Sequence, residues 1–265
     1  MLDPSRIAMA LGLLGATVAV AASPAVAAAS TLPQGSESVQ LDPADFSTQI
    51  DNPYFPLVPG DKYIYRETDS EGAKQRVVVS VTNKTKLIAN GITGRVVHDR
   101  VTEHGKVVED TFDWYTQDSD GNVWYLGEDT VECKKGKIKS HAGAFEAGVD
   151  GAQPGVIMPA NPVPGLKYRQ EYYAGKAEDK AEIVSVDEQA EVPFGHFPET
   201  LMTKDLNPLE PKVSEFKFYA QGVGPVLAVA VSGGTDREEL KRVKHDQKVK
   251  LPSQSKRCVT HGHGK

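Results

Sequence analysis

Asp99 and Asp110 are the two residues whose types and spacing best suit acid–base or metal chemistry. His104 and Gly105 lie between two strand-like runs and suit a two-residue hairpin turn, because glycine tolerates a positive φ. That turn places Asp99 directly opposite Asp110 on paired strands. Two carboxylates in this arrangement can share a proton, act as acid and base, or hold a divalent cation. Both are therefore candidate ligand-binding residues and candidate metal ligands.

The charges next to the turn support this register. It pairs Glu103 with Lys106 and Arg100 with Glu109, and opposite charges across a strand pair stabilise it. Strand alternation then puts both aspartates on the apolar face, with Val97, Val101, Val108 and Phe112. A structural alternative stays open, in which the register slips by one residue or each aspartate bonds a backbone amide or an arginine.

The opposite face of the second strand is polar. It carries Asp113, Tyr115 and Gln117, and a similar strand later in the chain carries Tyr219 and Gln221. If both strands line one concavity, these five side chains are further ligand-binding candidates. If the face is on the outside, they are ordinary solvent-facing residues, since antiparallel sheets commonly expose one face to water.

Other motifs are weaker. Asp118, Asp120 and Asn122 could offer oxygens to calcium, but the EF-hand spacing fails and a tight turn is favoured. His261 and His263 could bind a transition metal, although two histidines in a polar tail make a weak site. No nucleophile elbow, Walker loop or His-Glu-x-x-His motif is present. The sequence thus predicts no particular cofactor beyond a possible divalent cation.

The chain repeats itself at an offset of about 105 residues, and four blocks recur in the same order. The first copies are Pro59, Gly60, Lys62 and Tyr63; Val79, Ser80 and Val81; Phe112, Trp114, Tyr115 and Gln117; Gly121 and Val123. The second copies are Pro164, Gly165, Lys167 and Tyr168; Val184, Ser185 and Val186; Phe216, Phe218, Tyr219 and Gln221; Gly224 and Val226. Thr203 and Ser214 stand where Asp99 and Asp110 would recur, so only the first copy carries the acidic pair.

This pattern predicts an all-β, mainly antiparallel fold, in which two similar β-meanders form one curved sheet or half-barrel. Asp42 and Pro43 predict a short N-terminal helical turn. The predicted segments are a signal peptide (1–27), a lead-in (28–55), a first β repeat (56–146), a Gly/Pro-rich connector loop (147–163), a second β repeat (164–243) and a basic polar tail (244–265). The connector is either a linker or a lid over a cleft.

Composition and the N-terminus indicate compartment and partner class. Arg6, an apolar run and the small residues at 25–27 predict a secretory signal peptide, hence a secreted bacterial protein with no transmembrane segment after cleavage. The net charge of −6 argues against nucleic acid as a partner. Cys133 and Cys258 would meet an oxidising compartment and could pair, but the sequence leaves this open.

A resemblance to a known family rests on several stretches. The most specific stretch runs from Asp113 to Glu128 and contains Asp113-Trp114-Tyr115-Thr116-Gln117-Asp118 and Gly121-Asn122-Val123-Trp124-Tyr125-Leu126-Gly127-Glu128. Further matches are Asn52-Pro53-Tyr54-Phe55-Pro56-Leu57, Gly148-Val149-Asp150-Gly151-Ala152 and Met158-Pro159-Ala160-Asn161-Pro162. Over residues 50–243 the chain resembles an uncharacterised family of secreted bacterial proteins. The resemblance implies an exported β-rich domain and no particular activity.

Three functional hypotheses follow. The first is a secreted binding protein for a small polar or amphipathic molecule, a cation or a cell-envelope component. The second is a secreted hydrolase that uses the Asp99 and Asp110 pair directly or through a metal. The third is a structural or interaction protein at the cell surface, whose basic tail contacts anionic envelope polymer.

Overall fold

The computed structural model describes residues 32–245, 251, 253 and 256–259. The predicted signal peptide and the pair of C-terminal histidines lie outside these residues. In chain order the strands are β1 (Phe46–Ser47), β2 (Asp61–Thr68), β3 (Lys74–Leu87), β4 (Thr93–Glu103), β5 (Lys106–Asp118), β6 (Val123–Lys134), β7 (Lys137–Ser140), β8 (Phe145–Glu146), β9 (Gln153–Met158), β10 (Lys167–Arg169), β11 (Glu171–Tyr172), β12 (Lys180–Val192), β13 (Gly195–Leu206), β14 (Ser214–Ala220), β15 (Gly224–Ser232) and β16 (Arg237–His245).

These strands form one antiparallel sheet, which confirms the predicted all-β fold. The order is β10-β12-β13-β14-β15-β16-β2-β3-β4-β5-β6-β9-β11, with β1 on β5 and with β7 and β8 on β6. The predicted helical turn is a 3-10 helix, Pro43–Asp45, which Asp42 caps by accepting a hydrogen bond from the amide of Ala44 at 2.9 Å. No helix within the described ranges has both the length and the apolar character needed to cross a bilayer.

The two ends of the sheet approach each other, so the curved sheet is nearly closed. Arg169 on β10 donates from Nε and Nη2 to the carbonyl oxygen of Pro154 on β9, at 3.2 and 2.8 Å. Gly155 allows this approach, because a Cβ there would lie 2.3 Å from the backbone of Gln170. The sheet therefore encloses a lumen instead of the open half-barrel that the sequence also allowed.

The repeated blocks occupy strands in the same order. The first copies lie in β2, β3, β5 and β6 or in the turns next to them, and the second copies lie in β10, β12, β14 and β15 or in the turns next to them. Gly60 and Gly165 make equivalent turns, with φ of 100° and 88°. Their amides donate to the carbonyl oxygens of Val81 and Ile183, at 2.9 and 2.8 Å. Each of the two copies thus begins with a glycine turn that only a residue tolerating positive φ adopts readily.

Side-chain alternation builds the core inside the lumen. On β2, Tyr63 and Tyr65 are buried while Arg66 is exposed, as expected of a strand with one face inward. Val77 on β3, Val97 on β4 and other inward residues complete the same cluster. The inner face is therefore the one that positions any site inside the sheet.

Two segment predictions need correction. The connector at 147–163 is not a plain loop, because Gln153–Met158 forms β9 and pairs with β6. Val156 and Met158 on β9 are buried, so this strand belongs to the wall. The tail at 244–265 is not simply solvated either, because Arg257 and Cys258 are buried. Ion pairs and a disulfide, neither visible in local composition, hold them there.

Candidate functional site

The hairpin that carries the two aspartates forms, but its register is shifted by a β-bulge. His104 and Gly105 make the turn with positive φ, and Glu103 pairs with Lys106 as predicted. Between Val101 and Thr102 the pairing shifts by one residue, so Asp99 lies opposite Thr111 and Asp110 lies opposite Arg100. The prediction that Asp99 faces Asp110 is wrong, because one inserted residue moves one of the two side chains to the other face.

The inner face of the sheet surrounds a cavity of about 240 Å³. Aromatic rings form much of its wall, namely Phe55, Tyr63, Tyr65, Tyr115 and Tyr219. Asp99, Asp113, Glu238 and Lys217 are its charged lining residues. We call this cavity the aromatic chamber. Of the sequence candidates, it brings together Asp99, Asp113, Tyr115 and Tyr219, which fits the concave alternative for the polar face of β5 and its counterpart on β14.

Contacts between aromatic rings hold the wall of the chamber in place. Phe55 packs against Tyr115 and Tyr219, with centroid separations of 5.4 and 6.5 Å. Tyr115 stacks on Tyr125 at 4.9 Å. Burial raises the pKa of Tyr115 well above its usual range, so this phenol stays neutral at physiological pH. The wall therefore offers apolar and π-electron surface to a ligand.

Gln117 and Gln221 do not line the chamber, but they hold the segment that contributes Phe55 to its wall. The Oε1 atom of Gln117 accepts from the amides of Asp51 and Asn52, at 3.0 and 2.9 Å. Gln221 Nε2 donates to the Tyr54 hydroxyl at 2.9 Å. These two residues thus position the loop that contains Phe55, and their side chains are already engaged.

Asp99 carries an unsatisfied carboxyl oxygen. Its Oδ1 atom is buried and has no hydrogen-bond partner in the part of the chain that the structure describes. Burial, together with the nearby Glu109 and Glu67, raises the pKa of Asp99 to about 7. Glu238, from β16, lines the same chamber, and burial followed by the charge of Asp99 raises its pKa well above the usual range. An unpartnered buried oxygen such as Oδ1 of Asp99 is costly unless it binds a proton or a cation.

Asp113 and Glu128 share one phenol. The Tyr125 hydroxyl lies 2.8 Å from Asp113 Oδ1 and 2.8 Å from Glu128 Oε2. A hydroxyl has a single hydrogen, so both short contacts are satisfied only when one carboxyl is protonated and donates to the tyrosine oxygen. Burial also raises the pKa of both carboxyls, that of Glu128 to about 7. The three groups therefore hold a proton close to the chamber at neutral pH.

Lys217 is the one basic residue among those that line the chamber, and it is neutralised. Its Nζ lies 2.9 Å from Asp205 Oδ2 and 3.4 Å from Glu215 Oε2. Burial alone would lower the pKa of Lys217, but these two carboxylates raise it well above its usual range. Since Lys217 already has two anionic partners, no free cationic side chain remains among the residues that line the chamber.

Asp110 lies on the outer face in a saturated network. Its Oδ2 atom lies 3.0 Å from His98 Nε2, and its Oδ1 atom accepts from Arg257 Nε at 2.9 Å. Arg257 also donates to Asp129 Oδ1 at 2.8 Å. Cys258, the next residue, forms a disulfide with Cys133, so the open question of their pairing is settled. Asp110 is thus a structural anchor for the C-terminal segment.

The geometry supports no metal site at the predicted positions. Asp99 and Asp110 are on opposite faces, so they cannot hold one ion or act as an acid–base pair on one substrate. Within the described residues no three His, Cys, Asp or Glu side chains are arranged to hold a metal. Asp118 closes a turn, where its Oδ1 and Oδ2 atoms accept from the Asn122 amide and from Trp124 Nε1, at 2.8 and 2.7 Å.

Comparisons with known proteins find only weak similarities. No family model matches it, and no curated protein matches it. It is similar to a candidate exported protein with a YmcC-like fold from Bacteroides fragilis (14% identity, TM-score 0.43, 72% of this chain and 98% of that one). It is also similar to a candidate lipoprotein from Parabacteroides distasonis (13%, 0.42, 72% and 98%). A third is a β-barrel-like protein of a domain of unknown function from Brucella abortus (12%, 0.36, 71% and 98%). At these TM-scores the similarities carry no argument about function.

Proposed function

We propose that this chain is an exported binding protein whose aromatic chamber takes a small amphipathic molecule with an apolar body and one cationic nitrogen. The observation that carries the proposal is the unpartnered, buried Oδ1 atom of Asp99 at the wall of an aromatic cavity. A ligand ammonium would supply the missing donor and counter-charge.

Size and wall chemistry define the apolar part. A cavity of about 240 Å³ has room for on the order of ten non-hydrogen atoms. Its aromatic side chains favour a hydrophobic or ring-containing body, and their faces also attract a cation. The ligand is therefore a small organic amine and not a long lipid chain.

The charged residues of the chamber determine whether the ligand's polar group is a cation or an anion. An anionic ligand would need a free cation, but Lys217 is already bound by Asp205 and Glu215. Asp99 and Glu238 have no ion-pair partner among the described residues. Their carboxylates would therefore attract a ligand cation and repel a ligand anion. A cell-envelope component that carries an amine is one source of such a ligand.

The disulfide that Cys258 forms near the C-terminus supports export. The Cys133–Cys258 disulfide is a covalent link of the kind that persists in oxidising compartments. The predicted signal peptide points the same way, and it lies outside the described residues.

Calorimetric titration with phenylbutylamine and phenylbutyrate tests the proposal, since the two probes share the apolar body and differ in the sign of the charge. We expect the amine to bind and the carboxylate to bind far more weakly. Asp99→Asn should weaken binding of the amine by about 10- to 100-fold, because a charge-assisted hydrogen bond contributes about 1.5–3 kcal/mol. Asp120→Asn, in an exposed turn, is the matched control and should change nothing. Equal affinity for both probes, or for parent and Asp99→Asn, would contradict the proposal.

A further inference from the structure

A second cavity adjoins the aromatic chamber on the inner face. It has a volume of about 530 Å³, and its lining includes Glu67, Asp99, Glu109, Glu132 and Glu238. We call it the acidic vestibule. Asp99 and Glu238 line both cavities, so their carboxyls stand between the two. A ligand nitrogen held by these two residues in the chamber is therefore next to a second acidic space.

The five vestibule carboxyls come from five strands, β2, β4, β5, β6 and β16, and they repel one another. Glu67 on β2 pairs directly with Glu238 on β16, and like charges opposite each other destabilise a strand pair. Burial, followed by the charges of Asp236 and Glu109, raises the pKa of Glu67 to about 7. The pairing of two inward glutamates has no evident structural benefit to the sheet.

The two basic residues that line the vestibule, Lys134 and Lys139, are exposed, and neither forms an ion pair with Glu67, Glu109 or Glu238 among the described residues. Among the described residues, Glu67, Glu109 and Glu238 have no ion-pair partner, and Glu109 accepts only a long hydrogen bond of 3.4 Å from Thr111. The unpartnered oxygen of Asp99 lies at the inner wall of the same space. At the rim, by contrast, Glu132 is paired with Lys139 at 3.2 Å. The uncompensated carboxyls are thus the interior ones.

The unmatched carboxyls favour an organic cation over a metal ion. Within the described ranges no group of three carboxylates or histidines has the arrangement that a metal needs. Spread carboxyls suit amino groups instead, because an ammonium has three hydrogens that can reach separate acceptors. A flexible ligand with a second amino group could therefore use acceptors that a compact ion could not bridge.

We propose that the acidic vestibule is a second cation subsite, so that the preferred ligand is a linear diamine with an apolar end. The apolar end occupies the aromatic chamber, the first amino group lies at Asp99 and Glu238, and the second reaches Glu67 and Glu109. This inference rests on the function proposed above and names its ligand class.

A pair of probes separates the two subsites. The first is phenylbutylamine, and the second is the diamine made by adding an aminopropyl group to its nitrogen. We expect the diamine to bind about tenfold more tightly, because its second ammonium gains charge-assisted hydrogen bonds. In the Glu67→Gln/Glu109→Gln variant that gain should disappear, while the affinity for the monoamine changes much less. Glu71→Gln, in the exposed turn between β2 and β3, removes one charge and should retain the gain.

The outcomes distinguish the two proposals. If the monoamine binds and the diamine binds no more tightly, the second subsite is overturned and the proposed function stands. If neither amine binds, the proposed function fails, and the second subsite fails with it. Thermal unfolding of each variant shows whether it is folded, and the single Glu67→Gln variant provides the same comparison if the double variant is not.

Discussion

Asp99 and Asp110 lie on adjacent strands, both with a buried carboxyl oxygen, yet their surroundings differ in almost every respect. Asp110 faces outward and contacts His98 and Arg257 under the C-terminal segment. Asp99 faces inward, among other carboxyls, with one oxygen that has no partner in the described chain. A buried carboxylate with its cations in place is costly to remove, whereas one without them is a place for a proton or a ligand cation.

The largest expected effect is at Asp110. Asp110→Asn removes the negative charge between His98 and Arg257 and leaves a buried guanidinium with one carboxylate fewer. We expect the free energy of unfolding to fall by about 4 kcal/mol, as is typical when one partner of a buried ion pair is removed. Urea unfolding followed by circular dichroism measures the loss. A change as small as that of the exposed Asp120→Asn control would remove the structural role assigned to Asp110.

Removing the disulfide tests whether the contacts between Asp110 and Arg257 depend on this covalent link. Cys133→Ala/Cys258→Ala should lower the free energy of unfolding by about 3 kcal/mol, because the bond closes a long loop in the unfolded chain. Since Cys258 follows Arg257, the loss should be less than additive with Asp110→Asn. Urea unfolding of the two variants and their combination measures this coupling. Strict additivity would show that the disulfide and the arginine act independently.

The smallest effect, and one of opposite sign, is expected at Asp99. Its pKa of about 7 in the folded state exceeds the unfolded value of about 3.9, so the folded state binds the extra proton. The stability that this proton contributes is complete below about pH 4 and is lost as pH rises towards 7. At pH 8, Asp99→Asn should therefore be more stable than the parent by about 2 kcal/mol, about half of what the full pKa shift implies, because Asp99 is only partly buried.

Unfolding midpoints between pH 4 and pH 8 check this sign. The parent should lose stability as pH rises, and Asp99→Asn should lose less. Some slope should remain in the variant, because the pKa values of Glu67 and Glu128 are also raised to about 7. If the unfolding midpoint of the variant changes with pH as steeply as that of the parent, the buried charge of Asp99 does not destabilise the folded state.

Much of the inner wall was predictable from local pattern. Alternation along β5 put Asp113 and Tyr115 on one face, and the repeat indicated that Tyr219 occupies the equivalent position on β14. The sequence could not choose whether that face was inside. Glu67 and Glu238 were missed altogether, because they become neighbours only through the pairing of β16 with β2, which are far apart in the chain. The only signal in the sequence was that each of these glutamates lies in a strand whose side chains alternate between the two faces.

By itself, then, the sequence determined the strand alternation, the glycine turns and the hairpin tip at His104 and Gly105, because these depend on residues close together in the chain. The tertiary structure decided which carboxylate is paired. A single bulge after Val101 moved Asp110 to the outer face, and the C-terminal segment brought Arg257 to it from 147 residues away. Local pattern encodes neither event, because a one-residue shift exchanges the two faces of a strand and a distant partner leaves no trace in its periodicity.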